Sequence, residues 1–187
     1  MADDFDLLQR WAAGDKAAGG QLYDRHVSKV QRFFRNRVQD SVDDLVQATF
    51  LASLEASDRF RGDSKFTTYL YAIARYKLLE HMRRRQSKHD KVDPLVVSVM
   101  DCGQSPASVM VRNEREQILN AAMCRLPIDM QIALELYYWE GVTAREVADI
   151  IGIPEGTVRT RLRRARQQLR KYVEAAGVRG VLPGQPS

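Results

Sequence analysis

Two cysteines and three histidines in 187 residues leave little from which to build a disulfide scaffold or a metal centre. Cys102 and Cys124 are far apart in sequence and have no histidine at ligand spacing, so both are expected to be reduced thiols. No run approaches the ~20 apolar residues needed to cross a bilayer. The start MADDFDLL is acidic and lacks both the basic head and the apolar run of a secretion signal, so a cytoplasmic chain without membrane insertion is expected. No segment alternates with the period of a strand, which argues for an all-α fold. Asp43, Asp44, Asp90 and Asp93 do not make a ligand set on one helix. A metal-dependent hydrolase is therefore poorly supported, and no cofactor or catalytic residue is expected.

What the chain does have is charge arranged in blocks. The net charge of +5 divides into −3 over residues 1–58, +7 over 59–91, −5 over 92–153 and +6 over 154–187. A simple non-specific nucleic-acid binder would be basic throughout. Alternation suggests two separate DNA contacts, each on a segment that faces something else.

The second basic block contains the clearest local pattern, GVTAREVADIIGIPEGTVRTRLRRARQQLRK at Gly141 to Lys171. Thr143 followed by Glu146 predicts a capping box just before Val147, Ala148, Ile150 and Ile151. Gly152 stops that helix, Ile153 packs at the corner, and Pro154 stands where the next helix begins. In the second helix Val158, Leu162, Ala165 and Leu169 form one apolar stripe. The opposite side holds Gly156, Thr160, Arg163, Arg164 and Gln167, flanked by Arg159 and Arg170. Six arginines fall between Arg159 and Arg170 with no acid among them, whereas a merely solvated helix mixes the signs at four-residue spacing. Arginine forks fit guanine edges and phosphates, and Thr and Gln fit either, so this is a helix-turn-helix whose second helix is offered to a major groove.

Upstream, residues 5–37 read as helical, with Phe5, Leu8 and Trp11 opening the apolar pattern. A break at Gly19-Gly20 follows, and Leu22, His26, Val30, Phe33 and Phe34 continue the pattern. His26 lies on the apolar side with no partner in view and is expected to be a packed histidine rather than a ligand or base. Residues 41–57 form a helix capped by Ser41 or Asp43, with Val42, Leu45, Val46, Thr49, Phe50 and Leu54 on its apolar side and Asp44 and Gln47 off it. The loop RFRGDSKF leads to a long helix from about Thr67 to Arg85, with Phe66, Leu70, Ile73 and Ala74 as its buried stripe. Tyr69, Tyr76 and Arg83 are spaced by seven and share another side, ending in Arg83, Arg84 and Arg85. Exposed rings beside cations suit unpaired DNA, because bases stack on rings while phosphates meet arginine. The alternative for either tyrosine is a half-buried core ring with a wet hydroxyl.

From Gln86 to about Met110 the helical period is lost and prolines, glycine and polar residues predict a flexible linker. Helices over Val111–Arg125, with Ile118, Leu119, Ala122 and Met123, and over Ile128–Glu140, with Ile132, Leu136 and Tyr137 as core, complete a four-helix second domain. The expected organisation is an N-terminal domain over 1–88, a linker over 89–110, a helix-turn-helix domain without a wing over 111–176 and a short tail over 177–187.

Three stretches together resemble the extracytoplasmic-function group of bacterial sigma factors, in the sigma-70 family. These are DDLVQATFLASL at Asp43 to Leu54, FRGDSKFTTYLYAIARYKLLEHMRRR at Phe60 to Arg85, and LP, EG and IPEGTVRTRLRRARQQLR between Leu126 and Arg170. The resemblance implies a non-enzymatic transcription initiation subunit, monomeric when free. Its partners would be core RNA polymerase, through the clamp helices and the flap, promoter DNA and an anti-sigma protein. Asp44, Leu45, Gln47 and Phe50 match the clamp-binding helix. Phe60, Arg61, Ser64, Lys65, Tyr69, Arg75, Tyr76, Arg83, Arg84 and Arg85 would form the minus-ten set, with the loop Phe60 to Phe66 capturing a flipped base. Glu155, Arg159, Thr160, Arg163, Arg164 and Gln167 would form the minus-thirty-five set. The chain departs from the family where Tyr69 replaces a common Trp, Tyr76 a common Asn and Gln131 a frequent Arg. The competing reading is a helix-turn-helix activator or repressor that binds duplex DNA as a dimer.

Overall fold

A computed structural model describes residues 3–38, 40–86 and 114–177. Among these the chain is all-helical, with no strand. It divides into two compact units, Met1–Arg85 and Gln86–Ser187. The linker expected over 89–110 lies outside the described residues, as does the expected tail beyond Gly177.

The first unit contains α1 (Asp4–Ala12), α2 (Lys16–Arg35), α3 (Val42–Glu55), a 3-10 turn at Ser57–Arg59 and α4 (Phe66–Gln86). Its core is formed by Leu7 and Leu8 of α1, Leu22, Val30, Phe33 and Phe34 of α2, Val46 and Phe50 of α3, and Leu70, Tyr71, Ala74 and Leu78 of α4. Each of the Leu, Val and Phe side chains contributes about 1.5–3 kcal/mol on full burial. Buried hydroxyls are satisfied within α3, where Thr49 donates to the Leu45 carbonyl at 2.7 Å and Ser53 to the Phe50 carbonyl at 2.7 Å. Arg37 is buried with its guanidinium 4.3 Å from the Phe33 ring centre and donates to the Phe33 carbonyl at 2.6 Å.

The break in the first helical stretch falls elsewhere than expected. Gly19 and Gly20 lie inside α2, and the chain turns at Ala13 to Asp15 instead. Gly14 takes φ +102°, open to glycine, and the Asp15 carboxylate accepts from the N–H groups of Ala17 and Ala18 to cap α2. Gly19 is glycine for packing: a Cβ there would stand 2.6 Å from the Trp11 indole. Ser41 occupies the N-cap position of α3 at φ 67° but makes no side-chain cap bond, against the expected Ser41 or Asp43 cap.

The second unit contains α5 (Glu114–Cys124), α6 (Ile128–Tyr138), α7 (Ala144–Ile151) and α8 (Glu155–Ala175). Leu126, Ile132, Leu136, Val147, Ile150, Val158, Leu162, Ala165 and Leu169 are buried, so the apolar stripe read from the sequence is the seam between α8 and its neighbours. The capping box is present in both directions. Glu146 N–H donates to Thr143 Oγ1 at 3.2 Å, and Thr143 N–H donates to Glu146 Oε2 at 2.9 Å. Gly152 ends α7 in the left-handed region at φ 77°. Gln131, at the position of the family's frequent Arg, is buried and donates to the Leu126 carbonyl at 2.9 Å, fastening the α5–α6 corner.

One expectation is corrected at the end of α5. Cys124 is disulfide-bonded rather than a reduced thiol, and Cys102, the other cysteine, lies outside the described residues.

Candidate nucleic-acid interface

The α8 helix turns one side into the second unit and the other to solvent. Arg159, Thr160, Arg163, Arg164 and Gln167 are exposed, and Glu155 is partly so. Arg159 is drawn back along the helix by Glu155, with Nη2 to Oε1 at 2.6 Å, and Thr160 Oγ1 donates to the Gly156 carbonyl at 3.0 Å. Arg163 and Arg164 carry the outward charge in the middle of this face. Two of the six arginines do other work. Arg161 pairs with buried Asp129 on α6 at 3.5 Å, and half-buried Arg166 holds its guanidinium 5.8 Å from the Tyr138 ring centre.

Beside this face is a cleft of about 400 Å³ lined by Tyr137, Tyr138, Ala144, Arg159, Leu162, Arg163, Arg166, Gln167 and Arg170. Four guanidinium groups over aromatic walls make it suited to an anion. Sequence periodicity assigned Tyr137 to the core and passed over Tyr138 and Arg166. Only the packing of α6 beside α8 brings them together. Trp139, at the C-cap of α6, is 45% exposed and was likewise not singled out.

In the first unit the loop before α4 stands on an aromatic floor. Phe60 and Phe66 are buried, with ring centres 5.9 Å apart, and Phe60 stacks on Tyr69 at 4.7 Å and 24°. The five residues between them, Arg61 to Lys65, are exposed, with Gly62 at φ +76°. Phe60 is 7% exposed and turns its ring into this floor rather than to solvent. It supports the loop, while Arg61, Ser64 and Lys65 present themselves. Tyr69 is half-buried, but its hydroxyl is not left to water as the alternative expected: it donates to the Ser53 carbonyl at 3.2 Å, and burial pushes its pKa up, against the opposing effect of Arg59. Tyr76 is different, at 60% exposed with Lys77 Nζ 6.0 Å from its ring centre. Arg83, Arg84 and Arg85 are exposed at the end of α4, with Arg84 bridged to Glu80 at 2.6 Å, and Arg75 is half-exposed.

The α3 set divides in the same way. Asp44 and Gln47 are exposed, whereas Leu45 (7%) and Phe50 (3%) are mostly buried. Their burial is what fixes the exposed pair. Leu51, four residues after Gln47 and 49% exposed, was missed, as was Tyr23 at 40%. Both line a cleft with Trp11, Lys16, Asp43, Gln47 and Phe50, so Phe50 reaches that cleft although little of it is exposed. The spacing of 44, 47 and 51 carried the signal, since these positions share one helix face.

His26 is buried but not without a partner: Nε2 lies 2.8 Å from Asp4 Oδ2 of α1, which also pairs with Arg25 at 2.9 Å. Burial holds its pKa below the ordinary histidine value and outweighs the opposing pull of Asp4. Among the described residues no three His, Cys, Asp or Glu side chains group to hold a metal ion, and no helix is long and apolar enough to cross a membrane.

The family model for sigma-70 region 2 matches residues 22–88, and that for sigma-70 region 4 matches residues 116–169. The chain is 32% identical to the ECF RNA polymerase sigma-E factors of Salmonella typhimurium and Escherichia coli K12. Both alignments span 177 residues, 90% of this chain and 93% of each relative. The fold is like that of CnrH, solved in complex with the cytosolic domain of CnrY, at 23% identity and TM-score 0.65 over 92% of this chain and 97% of that one. It is also like the sigma factor RpoE of Bartonella quintana, solved with the anti-sigma factor NepR, at 23% identity and TM-score 0.65 over 83% and 96%. A helix-turn-helix unit and a second helical unit, each matching a sigma-70 region, define a promoter-recognition subunit of RNA polymerase. Within that class the chain belongs to the ECF sigma factors.

Proposed function

We propose that the two units divide the promoter between them, the first gripping separated strands at the minus-ten element and the second reading paired bases at the minus-thirty-five element. The protein performs no chemistry of its own and acts in the cytoplasm as a subunit bound to core polymerase. Asp44, Gln47 and Leu51 of α3 form the surface offered to the polymerase clamp helices. Arg61, Ser64 and Lys65 of the loop, with Tyr76, Arg75 and Arg83 to Arg85 of α4, meet the opened strand. Arg159, Thr160, Arg163, Arg164 and Gln167 of α8 meet base edges and phosphates of the duplex.

The observation that carries this reading is the exposed Tyr76 ring on the cationic helix α4. An aromatic ring held in solvent beside arginines gains little until a base stacks on it, and stacking on unpaired bases is worth about 1–3 kcal/mol each. Such a surface binds only the open form, so opening is driven by binding: unstacking one base costs a few kcal/mol, and the loop and ring offset it. Upstream, each bidentate contact discriminates by about 1–3 kcal/mol against the wrong base. Residues 89–110 join the two readings, and the similarly folded sigma factor RpoE of Bartonella quintana, solved with the anti-sigma factor NepR, supports an anti-sigma partner for this chain as well.

The test is transcription with purified core polymerase on a library of genomic fragments. The chain is expected to join the core and to start RNA at a subset of templates sharing two spaced elements. No association, or association without initiation on any template, overturns the proposal.

A further inference from the structure

We propose that α1 positions the minus-ten loop, with Phe5 as the positioning residue, an inference that rests on the reading of Arg61 to Lys65 as the strand-capturing tip. The sigma-70 region 2 match begins at residue 22, beyond the end of α1 at Ala12, so that match gives the helix no role. Yet its first turn reaches both ends of the loop. Phe5 lies 5.8 Å, centre to centre, from Phe60 at the loop's start, and a Cβ added at Gly62 would stand 3.3 Å from the Phe5 ring. Asp4 reaches the loop's far end through His26, whose Nε2 is 2.8 Å from the Asp4 carboxylate and whose ring is 5.2 Å from that of Phe66. Asp3 caps the helix by accepting from Asp4 N–H at 2.8 Å, which holds this first turn in register.

The geometry makes a preformed cradle. The exposed tip is short, and one of its five residues, Gly62, adopts a conformation that leaves the backbone soft. Its shape is imposed from below, by Phe60 on Tyr69, by Phe66 on His26, and by Phe5 closing the side where Gly62 has no side chain of its own. A loop already in its bound shape spends no binding energy on ordering, so more of it is available to hold a base out of the stack. Without Phe5 the tip would have to order itself on each encounter.

The experiment compares wild-type holoenzyme with holoenzymes carrying Phe5→Ala, Phe5→Tyr or the pair Arg61→Ala and Lys65→Ala, on a duplex promoter and on the same promoter mismatched through the minus-ten region. Opening is followed by the fluorescence of an adenine analogue in the non-template strand. Phe5→Ala is expected to lower open-complex formation on duplex by about tenfold, the size of one lost aromatic contact, and by much less on the mismatched template. Phe5→Tyr should restore it. A role confined to folding would lower both templates equally and would lower holoenzyme assembly, and that result overturns the proposal. If the Arg61 and Lys65 pair matters for opening but Phe5→Ala does not, α1 has no positioning role. If the pair itself has no effect, the loop reading fails first, and the inference with it.

Discussion

Two helices of equal length carry the DNA-facing residues, and they hold them in opposite ways. In α8 apolar and cationic side chains are segregated: Val158, Leu162, Ala165 and Leu169 are buried, while Arg159, Arg163, Arg164 and Gln167 stand in solvent. In α4 and the loop before it, the same residue type serves both sides. Phe60 and Phe66 are floor, Tyr69 is half-buried and hydrogen-bonded to Ser53, and Tyr76 alone among these rings is mostly exposed. Reading paired bases needs a rigid rod with forks on one face. Holding unpaired bases needs rings, and rings are also what the core wants. Charge therefore sorts itself better than aromatic residues do, Arg161 and Arg166 being the two α8 arginines turned toward α6.

The contrast can be broken most severely at the α8 seam. Leu162→Ala should destabilise the second unit by about 2–5 kcal/mol and abolish upstream recognition with it, seen as a lower denaturation midpoint and loss of duplex binding. A midpoint unchanged from wild type would show that the stripe is not the seam. On the outer face the effect should be smaller and confined to recognition. Arg164→Ala is expected to cost about 1–3 kcal/mol of preference at one upstream base pair, read from a promoter-variant profile, with stability unchanged within about 0.5 kcal/mol. Within α4, Tyr69→Phe removes one hydrogen bond and should cost about 1 kcal/mol of stability with little effect on opening. Loss of opening in that variant without loss of stability would place Tyr69 among the strand contacts after all.

The smallest expected effect concerns pH and belongs to the first unit alone. Burial lowers the His26 pKa in the folded state, so protons favour the unfolded chain. Stability is then fully present above the ordinary histidine value of about 6.5 and is lost as pH falls below it toward the depressed folded value. His81 is shifted the same way by burial and by Arg85 and Arg84, and adds to the slope. Denaturation at pH 7.5 and 5.5 should show a lower midpoint in acid, with the difference reduced in His26→Gln. A midpoint that rises on acidification would mean that Asp4 outweighs burial.

Much of the helix-turn-helix of α7 and α8 could be read from sequence because its physics is local. A capping box, a left-handed glycine and a four-residue apolar repeat each act within a turn or two, and Thr143, Gly152 and Leu162 stand where the pattern puts them. What escaped depends on contacts between elements. Gly19-Gly20 looked like a break, but Gly19 is required by the Trp11 ring of another helix. His26 looked partnerless because Asp4 reaches it from α1. Leu45 and Phe50 lie in the stretch that resembles the clamp-binding helix and are mostly buried, whereas Leu51, next after Phe50, is exposed and carried no sequence signal of its own beyond its spacing from Asp44 and Gln47. The cleft of Tyr137, Tyr138 and Arg166 exists only once α6 lies beside α8.

The most direct test of the divided promoter measures open-complex formation by two holoenzymes, one with Tyr76→Ala and one with Arg164→Ala, across a promoter series varied at both elements and prepared either as duplex or pre-opened at the minus-ten element. Tyr76→Ala should lose opening on duplex by roughly tenfold or more while keeping its upstream base preference. Arg164→Ala should keep opening on its best templates while its upstream preference flattens. Two variants with the same profile, each impaired equally on duplex and pre-opened templates, would contradict the account.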